Sequence, residues 1–168
     1  VVGSGPMLPG RFRGKSISGV DMEETTAELA ADEKNWPEIL EMENCTQLSC
    51  GSCPGLFTAN SMGCMAEVMG MALPGNGTIP APYAARIRLA KQTGVAIMDL
   101  VQKNITARQI ITKQSLENAV RLSMMMGAST NIFLHLPAIA QEAGIDLTIH
   151  DIERISKETP TICLLSPA

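Results

Sequence analysis

The sequence predicts the helix-rich portion of a layered α/β domain, and three observations carry that prediction. Apolar residues recur at three- and four-residue steps through segments bounded by caps and breakers, the signature of helices with one buried side. Short apolar runs of strand character stand at both ends, Val1-Val2 ahead of Gly3-Ser4-Gly5-Pro6 and Ile162-Cys163-Leu164-Leu165. The chain has 168 residues, 45% of them hydrophobic, enough for one domain with a sizeable core. Helices alone would read as an all-α bundle; the strand-like ends place them in an α/β layer arrangement.

In chain order, Val1 to Pro6 reads as the end of a buried strand entering a glycine turn. Pro9 to Ser18, rich in Gly and Arg, reads as an exposed loop, and Gly19 to Thr25 has no clear period. Trp36 to Asn44 forms a short helix with Asn35 as N-cap and Pro37 in the first turn, where its missing N–H costs nothing. A cysteine-bearing loop, Cys45 to Gly55, leads into a helix over Thr58 to Leu73, whose stripe is Met62, Met65, Ala66, Met69 and Leu73; Pro74-Gly75 closes it. Tyr83 to Lys103 is a second long helix with Ile87, Ala90, Gly94, Ile97, Met98 and Val101 on one face and Arg86, Lys91 and Asp99 off it. Thr112 caps a helix over Lys113 to Met126. Ser129 or Thr130 caps the next, which Gly144 ends at a C′ position. Thr148, with Asp151 three residues on, caps the last, and Pro160 lies beyond its end.

Thirteen Lys and Arg against seventeen Asp and Glu give a net charge of -4, which excludes a partner held by phosphate neutralisation and so speaks against nucleic acid. Apolar runs such as Ile132 to Leu136 fall far short of the roughly 18 residues a membrane helix needs, and no basic segment followed by an apolar one opens the chain. The expectation is a soluble, unexported, cytoplasmic protein with no membrane partner. The strand-like ends, with no initiator Met, further suggest a piece of a longer chain.

Two phosphate-loop resemblances fail on spacing. Gly3-Ser4-Gly5 lacks the third glycine of the dinucleotide fingerprint, and Gly10 to Ser16 is one residue short of a P-loop, so a solvated basic loop accounts for it better. Cys45, Cys50 and Cys53 form a C-x4-C-x2-C run followed by Cys64, the plant-type ferredoxin spacing. Cys64 lies within a predicted helix, however, and no His or second Cys pair completes a zinc set. Cys64 and Cys163 read as buried free thiols. Cys53 stands apart because Gly51-Ser52-Cys53-Pro54-Gly55 runs into a helix start, where backbone N–H groups and the helix dipole favour a thiolate. A second helix start, Gly127-Ala128-Ser129-Thr130-Asn131, presents hydroxyls, an amide and unpaired backbone donors fit for a carboxylate or phosphate, or for an ordinary cap. His135 reads as a core or cleft residue, His150 as a surface one, and Met124-Met125-Met126 as core filler.

The run Gly51-Ser52-Cys53-Pro54-Gly55-Leu56-Phe57-Thr58-Ala59-Asn60-Ser61-Met62 closely resembles the dihydroxy-acid dehydratase family, which includes the phosphogluconate and sugar-acid dehydratases. Gly5-Pro6-Met7, Leu73 to Thr78, Ser129-Thr130-Asn131 and Leu134 to Ala140 resemble it in the same order, so the likeness covers nearly the whole chain. Where that family has Gly-Gly-Ser-Thr-Asn, this chain carries Ala128, an added methyl beside the helix start. The resemblance implies that residues 1–168 are part of an N-terminal α/β cluster-binding domain, without the C-terminal β-barrel-like domain, of a homodimeric hydro-lyase. It further implies an iron-sulfur cluster, 2Fe-2S ahead of 4Fe-4S, with Cys53 as one of three cysteine ligands, and Mg²⁺ whose ligands lie outside the chain. The implied reaction removes water from a small 2,3-dihydroxy acid to give a 2-oxo acid, as in valine and isoleucine biosynthesis, with Ser129, Thr130 and Asn131 as substrate-binding candidates. Related aldonate or 6-phosphogluconate dehydration is the neighbouring alternative; an electron-transfer module built on Cys45, Cys50 and Cys53 is the alternative from another class.

Overall fold

The computed structural model describes residues 1–46 and 49–163. Its architecture is a helix-rich α/β arrangement: a two-stranded antiparallel sheet, β1 (Gly10–Phe12) and β2 (Lys15–Ile17), followed by helices α1 (Gly19–Leu29), α2 (Trp36–Cys45), α3 (Thr58–Val68), α4 (Ala84–Gln102), α5 (Ala107–Ile110), α6 (Lys113–Met126), α7 (Ile132–Ala143) and α8 (Ile149–Glu158).

The main core lies where α6 packs between α3 and α8, with α7 across α3 and α6. Met65 of α3, Leu116, Ala119 and Val120 of α6, Ile132 and Leu136 of α7 and Ile155 of α8 are fully buried there, as the helical stripes predict. The α6 bounds coincide with the predicted ones, and Thr112 caps it by accepting the Ser115 N–H at 3.1 Å. Thr148 caps α8 in a capping box with Asp151, and Gly144 takes the left-handed conformation that ends α7. Met124 and Met126 pack against the core as filler.

A second, smaller core joins Phe12 and Ile17 of the sheet to Met42 of α2. This overturns the exposed-loop reading of Pro9 to Ser18. Arg13 and Gly14 both adopt positive φ, 47° and 83°, which is the two-residue turn that lets a right-twisted hairpin close. Three-residue strands place too few side chains inward to show a period in sequence. The aperiodic Gly19 to Thr25 likewise turns out helical, because Ser18 and Asp21 form a capping box that starts α1 although only Val20 is buried on it. The Asp21 carboxylate accepts from Ser18 Oγ at 2.7 Å and Ser18 N at 2.6 Å, and these bonds hold its pKa below the ordinary carboxylate value.

That box supplies a stability prediction. Ser18→Ala is expected to cost about 1 kcal/mol at neutral pH, as lost N-caps do. A depressed carboxylate pKa contributes stability above its unfolded value of ~3.9, lost as pH falls through the lower folded value. The gap between variant and parent therefore narrows under acid, which urea unfolding at pH 7 and near pH 3.5 measures.

Other expectations are corrected. Asn35 makes no side-chain cap bond at α2; it ends a 3-10 turn, Glu33–Asn35, and its amide donates to Leu29 O instead. Helix α3 stops at Val68, short of Leu73, since Gly70 turns left-handed and the N–H groups of Met71 and Ala72 both fold back to Ala66 O. Val1 and Val2 are exposed, and the predicted strand there reduces to one parallel bridge, Pro6 to Ser52. At the other end Ile162 and Cys163 are exposed, their N–H groups held by Met125 O, so Cys163 is not a buried thiol; Leu164 and Leu165 lie outside the described residues. His135 is exposed on α7, against the core or cleft reading, while His150 is at the surface as expected.

Helix α4 forms where the period places it, but its apolar face is exposed, with Ile87 at 62%, Ile97 at 52%, Met98 at 56% and Val101 at 64%, while Arg86 and Leu89 are the buried residues. Apolar side chains mark a side able to pack, but backbone carbonyls gathered around a guanidinium decide which side of α4 faces inward here.

Candidate active site

Cys53 lies at the end of a loop pinned along its length to the segment Gly3 to Leu8. Ser52 N donates to Gly5 O at 2.8 Å, Ser52 Oγ donates to the same carbonyl at 3.1 Å, Met7 N donates to Ser52 O at 2.8 Å and Leu8 N donates to Ser49 Oγ at 2.7 Å. The Cys53 thiol is free and half-buried.

Between Cys53 and α3 the chain makes a constrained passage. Leu56 holds a φ of 54°, uncommon for a residue with a Cβ, while its side chain is buried and its carbonyl receives Ser61 Oγ at 2.6 Å. Backbone strain of this kind persists only where surrounding contacts hold it. Helix α3 then begins without a side-chain cap, and the N–H groups of Thr58, Ala59 and Asn60 have no acceptor among the described residues. Those donors, five to seven residues after Cys53, favour negative charge at this end of the helix.

The second helix start sits against the first. Ser129 N donates to Ser61 Oγ at 3.1 Å, Asn131 Nδ2 donates to Thr58 Oγ1 at 2.7 Å, and the hydroxyls of Thr58 and Ser129 are 3.1 Å apart. Ser129 Oγ also accepts Asn131 N at 3.3 Å. A proton count follows. Thr58 and Ser129 have two hydroxyl protons and one bond between them, so whichever donates, one O–H is uncommitted among the described residues.

Of the unpaired backbone donors expected at this second start one remains among the described residues, the Thr130 N–H, because Ile132, Phe133 and Leu134 donate to the carbonyls of Ser129, Thr130 and Asn131. Neither Ser129 nor Thr130 is the N-cap; Asn131 holds that position without a side-chain bond. Thr130 is exposed. Three further free backbone donors belong to α3, and Thr58 and Ser61, which sequence reasoning did not single out, join the two helix starts. Thr58 stood inside the quoted family-like run, but nothing local marks it as a partner of residues 71 to 73 positions away. Ala128 packs its methyl on the main core.

Cys45, Cys50 and Cys53 do not assemble into a ferredoxin-like set: among the described residues no three His, Cys, Asp or Glu side chains gather as a metal site. Cys50 is exposed and Cys64 is buried, where desolvation raises its pKa and disfavours the thiolate. The donor chemistry fits a single cluster ligand at Cys53 and provides no complete Mg²⁺ set within the described residues.

Residues 1–168, the whole chain, match the family model described as the dihydroxy-acid/6-phosphogluconate dehydratase N-terminal region. The chain belongs to this dehydratase family. Proteins named dihydroxy-acid dehydratase from Pyrococcus furiosus and Carboxydothermus hydrogenoformans are 48% and 50% identical to it over 167 residues, covering 99% of this chain and 30% of each relative. The protein of that name from Halothermothrix orenii is 51% identical over 168 residues, 100% of this chain and 30% of the relative. The chain thus spans about 30% of the length of the curated relatives it matches. No helix among its described residues is long and apolar enough to cross a membrane.

Proposed function

We propose that the protein containing this chain dehydrates a small 2,3-dihydroxy carboxylic acid to the 2-oxo acid, as in valine and isoleucine biosynthesis, and that Cys53 supplies one thiolate to an iron-sulfur cluster, 2Fe-2S by preference. The observation that carries the reading is the free, half-buried Cys53 on a splinted loop, ahead of uncapped α3, in a chain of this dehydratase family. When bound, the cluster and Mg²⁺ supply Lewis-acid chemistry.

This chain's residues have two tasks in that reaction. The bonds of Ser49 and Ser52 to the Gly5–Leu8 segment fix the Cys53 loop, and the unpaired N–H groups of Thr58, Ala59 and Asn60 stabilise the negative charge of a thiolate in front of them. The uncommitted hydroxyl of the Thr58 and Ser129 pair and the Asn131 amide donate to an oxygen of the substrate. Over the reaction a proton leaves C2 and the hydroxyl leaves C3 as water, and the resulting enol becomes the 2-oxo acid. No net electron transfer occurs. Two copies of the chain per enzyme complete the proposal.

The test is turnover. The full-length protein, with cluster and Mg²⁺, is expected to convert 2,3-dihydroxy-3-methylbutanoate to its 2-oxo acid faster than 6-phosphogluconate, whereas residues 1–168 alone show no turnover above a metal-only blank. A full-length preference for 6-phosphogluconate would reject the substrate assignment, and turnover by the fragment would reject the incomplete ligand set.

A further inference from the structure

The segment Gly3 to Leu8 is gripped on two sides. One side holds the Ser49 to Ser52 loop through the bonds given above. On the other, Gly3 N donates to Asn76 Oδ1 at 2.7 Å, Asn76 Nδ2 donates to Gly63 O at 3.0 Å, and Ala81 N donates to Pro6 O at 2.9 Å. Asn76 is almost fully buried.

Arg86 stands at the centre of this second side. Its guanidinium, on a residue only 8% exposed, donates to Gly3 O at 3.2 Å, to Asn76 O at 2.9 Å, to Gly75 O at 3.4 Å and to Ile79 O. Glu67 holds the same loop from its other polarity, accepting Gly75 N at 2.9 Å and Gly77 N at 2.6 Å. A planar fork of five donors can serve these four carbonyls on two separate segments; an ammonium, with three donors at one point, cannot serve all four. The fit allows no side chain at Gly5: a Cβ there would lie 2.1 Å from Arg86 Nη2 and 2.2 Å from Ile79 O, and the φ of 74° already favours glycine. Gly5 is also the residue whose carbonyl takes both the N–H and the hydroxyl of Ser52, the neighbour of Cys53.

A buried cation with four carbonyl partners and no carboxylate bonded to it is a costly way merely to close a loop. We propose that Arg86 is a positioning residue for Cys53: by gathering the carbonyls of Gly3, Asn76 and Ile79 it fixes the segment from which Ser52 is hung, and so sets where the Cys53 thiol points. The inference rests on Cys53 being a cluster ligand. It assigns a role in placing the Cys53 thiol to a residue 33 positions away on α4, through backbone rather than through contact.

The experiment uses the full-length enzyme with Arg86→Gln, Arg86→Lys and Gly5→Ala, and a remote core variant, Ile155→Val, as the control for stability alone. Iron and sulfide per subunit, the visible circular dichroism of the cluster and the melting temperature are read on each. In the apo protein, alkylation of Cys53 relative to Cys50 by iodoacetamide is followed by peptide mass. Arg86→Gln and Gly5→Ala are expected to weaken cluster retention roughly 10-fold or more, the scale of lost outer-shell support, with an altered dichroic spectrum and a changed Cys53 to Cys50 alkylation ratio. Arg86→Lys recovers only part of it, and Ile155→Val changes none of these beyond its melting temperature. An unchanged spectrum and alkylation ratio in Arg86→Gln would overturn the inference, as would the same losses in Ile155→Val. Cys53→Ser separates the two readings: if it keeps its cluster, the ligand assignment itself fails; if it loses the cluster while Arg86→Gln matches the parent, only the positioning role fails.

Discussion

Full-length enzyme carrying Cys53→Ser is expected to lose its cluster iron and its dehydratase activity together, while Cys45→Ser and Cys50→Ser retain both. The ground for the difference is structural. Cys53 is a free, half-buried thiol on a loop whose backbone is committed to Gly5, Met7 and Leu8, ahead of a helix start with three unpaired N–H groups. Cys50 is exposed, and the three cysteines of the C-x4-C-x2-C run do not gather among the described residues. A hydroxyl in place of the thiol is a poor ligand for iron, which takes thiolates in such clusters. Loss of a ligand from a cluster held by few protein atoms removes far more affinity than loss of an outer-shell contact, itself about 10- to 100-fold. Iron and sulfide assays on the three variants, with circular dichroism in the far ultraviolet to confirm folding, decide the point. Iron lost from Cys50→Ser but kept in Cys53→Ser would transfer the assignment.

The helical half of the fold was legible because its cause is local and periodic. A three- or four-residue recurrence locates α3 and α4, and the cap residues Thr112 and Thr148 locate the beginnings of α6 and α8. The hairpin was not legible, since Phe12 and Ile17 are single inward residues on three-residue strands and the turn uses Arg13 where Asn or Gly would have signalled it. Helix α1 was legible in its Ser18 and Asp21 pair and invisible in its periodicity. On α4 the period located the helix but not its buried side, because the burial of Arg86 depends on carbonyls at Gly3, Gly75, Asn76 and Ile79 that no local window contains.

The site divides in the same way. Cys53 stood out through its glycine-bounded loop and the helix behind it, and Ser129, Thr130 and Asn131 through their side chains at a helix start. What the sequence withheld is that Thr58 and Ser61 of α3 carry the contacts to that second start, and that three unpaired backbone donors lie on α3. Both facts depend on packing between helices far apart in the chain.

The central proposal is that the start of α7, fastened to the start of α3 through Thr58 and Ser61, contacts the substrate. Measuring kcat/KM and melting temperature on the same preparations of full-length Ser129→Ala and Asn131→Ala tests it most directly. A hydrogen bond to a charged substrate is worth about 1.5–3 kcal/mol, so catalytic efficiency is expected to fall roughly 10- to 150-fold in each variant. Stability should fall by no more than about 1 kcal/mol, the scale of one lost local hydrogen bond. Unchanged kcat/KM in both variants, with only the melting temperature lowered, would contradict the account and leave Ser129 and Asn131 as fasteners between α3 and α7.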